Sequence, residues 1–186
     1  MNAEKAEART EVATMGGGCF WCTEAVFNSI KGILKVEPGY SGGRAEDANY
    51  NRVSTGRTGH AEVVQVTFDP LAITLREILE IFFATHDPTT LNRQGADVGP
   101  QYRSVLFYHD EEQKMIMEET IEQLNREGIW DKPIVTEVEP FEAFHRAEEQ
   151  HINYYERNRG QAYCRLVIDP KILKLRERFR DKLKEF

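Results

Sequence analysis

Cys19 and Cys22 bracket Phe20 and Trp21 and follow directly on Gly16-Gly17-Gly18. A cysteine attacks as its thiolate, and a thiol of pKa roughly 8.5 is only a few per cent ionised near neutrality, so a nucleophile here needs a local cause of activation. If a helix begins at Phe20 or Trp21, Cys19 sits at its N-terminus, where unpaired N–H groups and the positive end of the dipole lower a thiol pKa. The glycines let the chain turn sharply and leave the sulfur accessible. Phe20 and Trp21 bring two apolar faces beside it, a wall suited to a small substituent such as a methyl group. The C-x-x-C spacing has three readings: half of a structural zinc site, two unreactive buried thiols, or a redox pair of nucleophile and resolving thiol. Zinc needs a second pair of soft ligands, for which only Cys164 and scattered histidines are available. The redox pair is the reading carried forward.

The elements that must position this hexapeptide follow from periodicity. Residues 11–15 read as a strand running into the glycines, and 22–31 as a helix through Ala25, Val26 and Ile30. A second strand is expected over 33–36. Pro38-Gly39-Tyr40-Ser41-Gly42-Gly43 then reads as a turn opening a polar loop to about residue 58. From 60 to 68 the residues alternate, with Val64, Val66 and Phe68 on one face; parity puts Glu62 on that apolar face. Thr74 with Glu77 forms a capping box for a helix whose Leu75, Ile78, Leu79, Phe82 and Phe83 make an apolar stripe. Asp110 with Gln113 starts another helix, stopped by Gly128. Residues 86–101 read as a loop and 102–108 as a strand. A strand at 134–138 and helices at 147–158 and 171–184 complete the series. Strands and helices alternate without the spacing of repeated βαβ units. The expected class is therefore α+β, a two-layer sandwich around a mixed or antiparallel sheet, with a ferredoxin-like core and long loops. No repeat or linker divides the chain, so 1–186 is read as one catalytic domain, with 1–10 a flexible N-terminal extension.

Composition narrows the function classes. The chain has 186 residues, 24 Lys+Arg against 31 Asp+Glu and a net charge of −7, which lacks the long-range attraction for phosphates that non-specific nucleic-acid binding needs. No run approaches the ~18 apolar residues of a spanning helix, and residues 1–11 lack the apolar stretch of a signal peptide. Three cysteines do not make a secreted disulfide framework, and a reducing cytoplasm is expected. Residues 171–184 carry seven basic and two acidic residues, with Ile172, Leu175, Phe179 and Leu183 on one face. Such a helix can bind an acidic surface, but docking on its own acidic core is expected. His60 is assigned no catalytic role. His86-Asp87-Pro88-Thr89 reads as a loop held by an Asp side-chain hydrogen bond and not as a metal ligand pair.

The motifs Gly17-Gly18-Cys19-Phe20-Trp21-Cys22, Gly39-Tyr40-Ser41-Gly42-Gly43, Thr58-Gly59-His60-Ala61-Glu62, His86-Asp87-Pro88-Thr89 and Asp97-Val98-Gly99-Pro100-Gln101-Tyr102-Arg103-Ser104 occur in that order. Together they resemble type A peptide methionine sulfoxide reductase, over about residues 12–170. The resemblance implies reduction of methionine S-sulfoxide, free or in proteins, by one enzyme for that epimer. It implies Cys19 as nucleophile, Phe20 and Trp21 as the methyl-binding wall and Glu62 as the catalytic carboxyl. It also implies Tyr50 and Tyr102 as ligands of the sulfoxide oxygen, Asp97 in the substrate pocket, and Cys22 and Cys164 as candidate resolving thiols. Independent chemistry agrees with the carboxyl: a sulfoxide oxygen must gain a proton as sulfur is attacked, and desolvation raises a carboxyl pKa toward the useful range. Tyrosine hydroxyls donate without ionising. The implied cycle leaves Cys19 as a sulfenic acid, closes a disulfide and is reset by thioredoxin, with no organic cofactor and no metal. A monomer is expected. For the first resolver, sequence proximity favours Cys22, while two thiols in one helical turn make disulfide geometry harder. A rival class is a non-catalytic module that recognises methionine through the aromatics, with Cys22 and Cys164 structural or zinc-holding.

Overall fold

The structure is a computed structural model, described for residues 9–185. The extension expected over 1–10 lies almost wholly outside the described residues. In chain order the elements are β1 (Glu11–Gly17), α1 (Phe20–Asn28), β2 (Ile33–Ser41), α2 (Tyr50–Val53), β3 (Ala61–Phe68) and α3 (Leu75–Ala84). The short pair β4 (Arg93–Gln94) and β5 (Asp97–Val98) follows, then β6 (Ser104–Tyr108), α4 (Glu111–Glu127), β7 (Glu137–Pro140), β8 (His145–Arg146), α5 (Tyr154–Arg157) and α6 (Asp169–Arg178).

Six strands form one sheet in the order β7-β6-β1-β3-β2-β8, antiparallel throughout except for the parallel pair β6 and β7. The skeleton β1-α1-β2-β3-α3-β6 is a βαββαβ unit whose strands lie 4-1-3-2 in space, the ferredoxin-like arrangement within an α+β, mixed-sheet fold. Ala13 pairs with Val66, and Met15 with Val64 and Leu106, so their side chains share one face. That face is buried under α1 and α3 in the main core. The opposite face is covered as well, since Ala61, Val63, Val105 and Phe107 pack with Phe141 and Phe144. Two-sided burial of β3 is why the alternation at 60–68 is only partial.

The local signals at the helix ends operate as the residues predict. Thr74 and Glu77 make a reciprocal capping box on α3, and Asp110 accepts the Gln113 N–H to start α4. Gly128 ends α4 in the left-handed conformation at φ 63°.

Other elements depart from the reading. The expected turn at residues 38–41 is strand, because Pro38 to Ser41 pair with Val64 to Ala61 of β3. In an antiparallel ladder a residue's N–H and C=O face the same neighbour, and Pro38 offers its carbonyl outward to the Ala147 N–H at 2.9 Å. The missing Pro38 N–H is therefore on the side away from β3, where no ladder bond is lost. β7 begins at Glu137 rather than at 134, and residues 100–102 form a 3-10 turn ahead of β6. The helix expected over 147–158 is broken into a 3-10 turn at Glu149–His151 and the four-residue α5, with Asn153 left-handed at φ 52° between them. The last expected helix starts earlier and ends at Arg178, preceded by a π-helical turn, Cys164–Ile168. It docks as expected. Ile172 and Leu175 are buried, Leu183 bridges Ile30, and Lys182 pairs with Glu77. Among the described residues no helix is long and apolar enough to cross a membrane.

Candidate active site

β1 delivers the chain to Cys19 through its glycines. Gly18 sits at φ +102°, and a Cβ there would fall 2.6 Å from Gln94 Cγ. Gln94 is pinned, accepting from the Asp87 N–H at 3.0 Å and donating to the Asp87 carbonyl at 2.8 Å, so only glycine fits without strain. The turn makes Cys19 the N-cap of α1, with Phe20 at the first helical position. Cys22 then falls at N3, and N-cap and N3 side chains lean toward each other at a helix start. The two thiols interact as hydrogen-bond partners across this first turn. Glu62, near the start of β3 and paired with Tyr40, reaches under the same helix end, and its Oε1 accepts the Phe20 N–H at 3.1 Å. It is 1% exposed.

Burial dominates the electrostatics. It pushes the Glu62 carboxyl up from 4.5 to about 8, against the Phe20 N–H that favours the charged form, with Asp97 and Cys22 adding to the rise. The Cys19 thiol departs from the expectation of a dipole-activated thiolate. Burial first, then the hydrogen bond to Cys22 and the facing Glu62, raise it well above the usual thiol value, and the Trp21 N–H at the helix end lowers it by less. The dipole is present but desolvation outweighs it. Cys22 is lowered to about 7, chiefly by the hydrogen bond from Cys19, with Lys171 assisting against the burial that raises it. Burial also raises Tyr50 and Tyr102, and in both the next contributors are Glu62 and Cys19, so the two phenols face the same centre as neutral donors.

Aromatic residues from distant segments close the site. Phe20 is fully buried against Tyr40 and His151. Trp21 stacks on Tyr154 with centroids 3.7 Å apart and planes 6° from parallel, and donates its indole N–H to His151 Nδ1 at 3.1 Å. His151 packs on Tyr50 at 4.4 Å, and its buried Nε2 has no hydrogen-bond partner among the described residues. Glu148 joins Tyr40 to the start of α2, accepting the Tyr40 hydroxyl at 2.9 Å and the Tyr50 N–H at 3.0 Å. Asp97 on β5 accepts the Tyr163 hydroxyl at 2.8 Å, and that hydroxyl lies 3.5 Å from Cys22 Sγ. Cys164 is fully buried at the start of the π-helical turn, its thiol raised by burial, then by Asp169 and Cys22.

Cys19, Cys22, Glu62, Tyr50, Tyr102, Asp97 and Trp21 are thus brought to one helix end from five separate stretches of chain. A matching profile for the family described as Peptide methionine sulfoxide reductase covers residues 11–183. The chain belongs to that family. It is 59% identical over 172 residues to a peptide methionine sulfoxide reductase MsrA from Sulfolobus acidocaldarius, covering 92% of this chain and 97% of that one. Mxr1 from Saccharomyces cerevisiae in reduced form superposes with a TM-score of 0.77 at 36% identity, covering 84% of this chain and 90% of Mxr1. Mxr1 in complex with Trx2 matches with a TM-score of 0.54 at 28% identity, covering 81% and 91%.

Within this peptide methionine sulfoxide reductase, Glu148, His151, Tyr154 and Tyr163 join the site without having been singled out. The first three lie in the stretch read as one regular helix, which breaks at Asn153; His151 and Tyr154 meet Trp21, and Glu148 meets Tyr40 and Tyr50. Tyr163 had a signal, its place beside Cys164, but nothing in the sequence links it to Cys22. His60 is structural: it accepts the Gly43 N–H at Nδ1, 3.1 Å, and pairs with the Arg44 carbonyl through Nε2, 2.9 Å. Asp87 accepts from both the N–H and the hydroxyl of Thr89, the loop-holding role expected of it. Among the described residues no three His, Cys, Asp or Glu side chains converge to hold a metal ion.

Proposed function

We propose that this chain is a single-domain, monomeric, cytoplasmic enzyme that reduces methionine S-sulfoxide, free or in proteins, and so repairs oxidised proteins. The observation that carries this reading is the placement of the buried Glu62 carboxyl, bonded to the Phe20 N–H at 3.1 Å, at the helix end capped by Cys19. Phe20 and Trp21 receive the methyl group, with Asp97 lining the same pocket. Tyr50 and Tyr102 donate hydrogen bonds to the sulfoxide oxygen as its negative charge develops. Glu62 gives its proton to that oxygen and its carboxylate takes the Cys19 proton as sulfur attacks sulfur. The S–S bond formed in the attack then breaks as the hydroxyl passes from the substrate sulfur to the Cys19 sulfur, so that the substrate S–O bond is lost, methionine leaves, and Cys19 remains as sulfenic acid. The raised Cys19 thiol pKa fits this order, because the proton departs during attack and not before it.

Cys22 resolves first: Cys19–SOH and Cys22–SH give the disulfide and water. Its place at N3, in hydrogen-bond contact with Cys19, supports this. Cys164 is able to take the disulfide over by exchange, and a thioredoxin dithiol returns all three thiols to the reduced state. The Mxr1 complex with Trx2 supports that donor. The test is single-turnover reduction of each methionine sulfoxide epimer by wild type and Cys19→Ser. Methionine from the S epimer and none from the variant is expected; activity surviving Cys19→Ser overturns the reading.

A further inference from the structure

Once Cys19 is a sulfenic acid, the Cys19 thiol hydrogen bond that chiefly lowers Cys22 is gone, so Cys22 must lose a proton to attack it, and the leaving hydroxide must gain one. Glu62 serves the second need, since burial keeps it an acid at neutral pH. It is a poor base for the first. Lys171, which faces Cys22 electrostatically, is a donor and favours the thiolate without accepting its proton. A separate acceptor is needed.

We propose that Tyr163 and Asp97 form a proton relay for the resolving step, in which the Cys22 proton passes to the Tyr163 oxygen as the Tyr163 proton passes to Asp97. The Tyr163 hydroxyl donates to Asp97 Oδ2 at 2.8 Å, so its lone pairs are free to accept, and Cys22 Sγ lies 3.5 Å from the same oxygen, within range for a sulfur hydrogen bond. The phenol ring is held edge-on against Trp21, with centroids 5.6 Å apart and planes at 82°, so the hydroxyl is aimed rather than swinging. The three members come from α1, from β5 and from the residue entering the π-helical turn, and they meet nowhere else. In balance, the Cys22 S–H and Cys19 S–O bonds break and the S–S bond forms. The Cys22 proton displaces the phenol proton onto Asp97, and hydroxide leaves as water with the Glu62 proton. Asp97 then returns its proton to Glu62 through solvent. Cys22 is oxidised and the sulfenic sulfur reduced, with no outside reductant.

The inference rests on Cys22 as resolver. It is tested by rapid mixing of fully reduced protein with one equivalent of methionine S-sulfoxide at pH 6.5 to 9.5. Quenched samples are assayed for methionine, for remaining thiols and for sulfenic acid captured by dimedone. In wild type, disulfide follows methionine without build-up of sulfenic acid. Tyr163→Phe keeps the ring but not the relay. It accumulates sulfenic acid, with resolution slowed about tenfold or more at pH 6.5 and the deficit closing by pH 9.5, where Cys22 ionises unaided. Asp97→Asn shows the same pH-dependent deficit. Resolution unchanged in both variants overturns the relay, and so does a deficit equal at every pH, which marks a role in geometry alone. No methionine from wild type overturns the reductase reading itself. Disulfide forming at the wild-type rate in Cys22→Ser overturns Cys22 as resolver.

Discussion

Glu62→Gln isolates the acid from its scaffold. Glutamine is nearly isosteric and its carbonyl can keep the Phe20 N–H bond seen at 3.1 Å, so the helix end stays supported while the transferable proton is lost. The size of the effect follows from the titration. A carboxyl of pKa 4.5 is about 0.3% protonated at pH 7 and one of about 8 is roughly 90% protonated, so burial enriches the acid form about 300-fold. Removing a positioned general acid costs about 10²- to 10⁴-fold in rate, and that loss is expected in single-turnover methionine release at sub-saturating S-sulfoxide. In wild type the same rate is flat below about pH 7 and falls tenfold per unit above about 8, as Glu62 ionises; in Glu62→Gln that falling limb is absent. The stability sign runs the other way. A carboxyl raised above its unfolded value destabilises the fold as pH climbs from 4.5 through about 8, because ionisation favours the unfolded chain. Glu62→Gln is therefore expected to melt higher than wild type at pH 8, with the difference gone by pH 4.5. A variant within tenfold of wild-type activity, or one that keeps the limb near pH 8, refutes the role of Glu62 as the acid.

Three further outcomes are expected. Cys164→Ser keeps thioredoxin-linked turnover, whereas Cys22→Ser releases one equivalent of methionine and then stalls; steady-state assays with thioredoxin check both, and loss of recycling in Cys164→Ser reverses the order of the thiols. Gly18→Ala loses about 1–3 kcal/mol in urea unfolding, from an alanine forced to positive φ against the pinned Gln94, and shifts Cys19 enough to lower methionine release. Thr74→Ala removes the reciprocal cap on α3 and costs about 1 kcal/mol with the rate of methionine release unchanged, which equilibrium denaturation and a single-turnover assay together resolve.

Much of the site was legible because its signals are local. A thiol after three glycines and before an amphipathic run belongs at a helix start whatever the rest of the chain does. Strand parity turns Glu62 inward, and caps such as Thr74 with Glu77 need only a few neighbouring residues. The motifs in order likewise specified the family. Long-range packing decided the rest. Pro38-Gly39-Tyr40-Ser41 has the composition of a turn and becomes strand only because β3 supplies a paired edge. Residues 147–158 have helical content but break at Asn153, which brings His151 and Tyr154 onto Trp21. The sign of the Cys19 shift was also beyond local reading. A helix N-terminus is written in sequence, whereas the desolvation that outweighs it comes from burial in the folded chain. By itself the sequence determined which atoms are available for chemistry and at which end of which helix they sit. Tertiary structure alone decided their protonation and their partners, because burial and the approach of Tyr163 to Cys22 are properties of contacts that no spacing along the chain encodes.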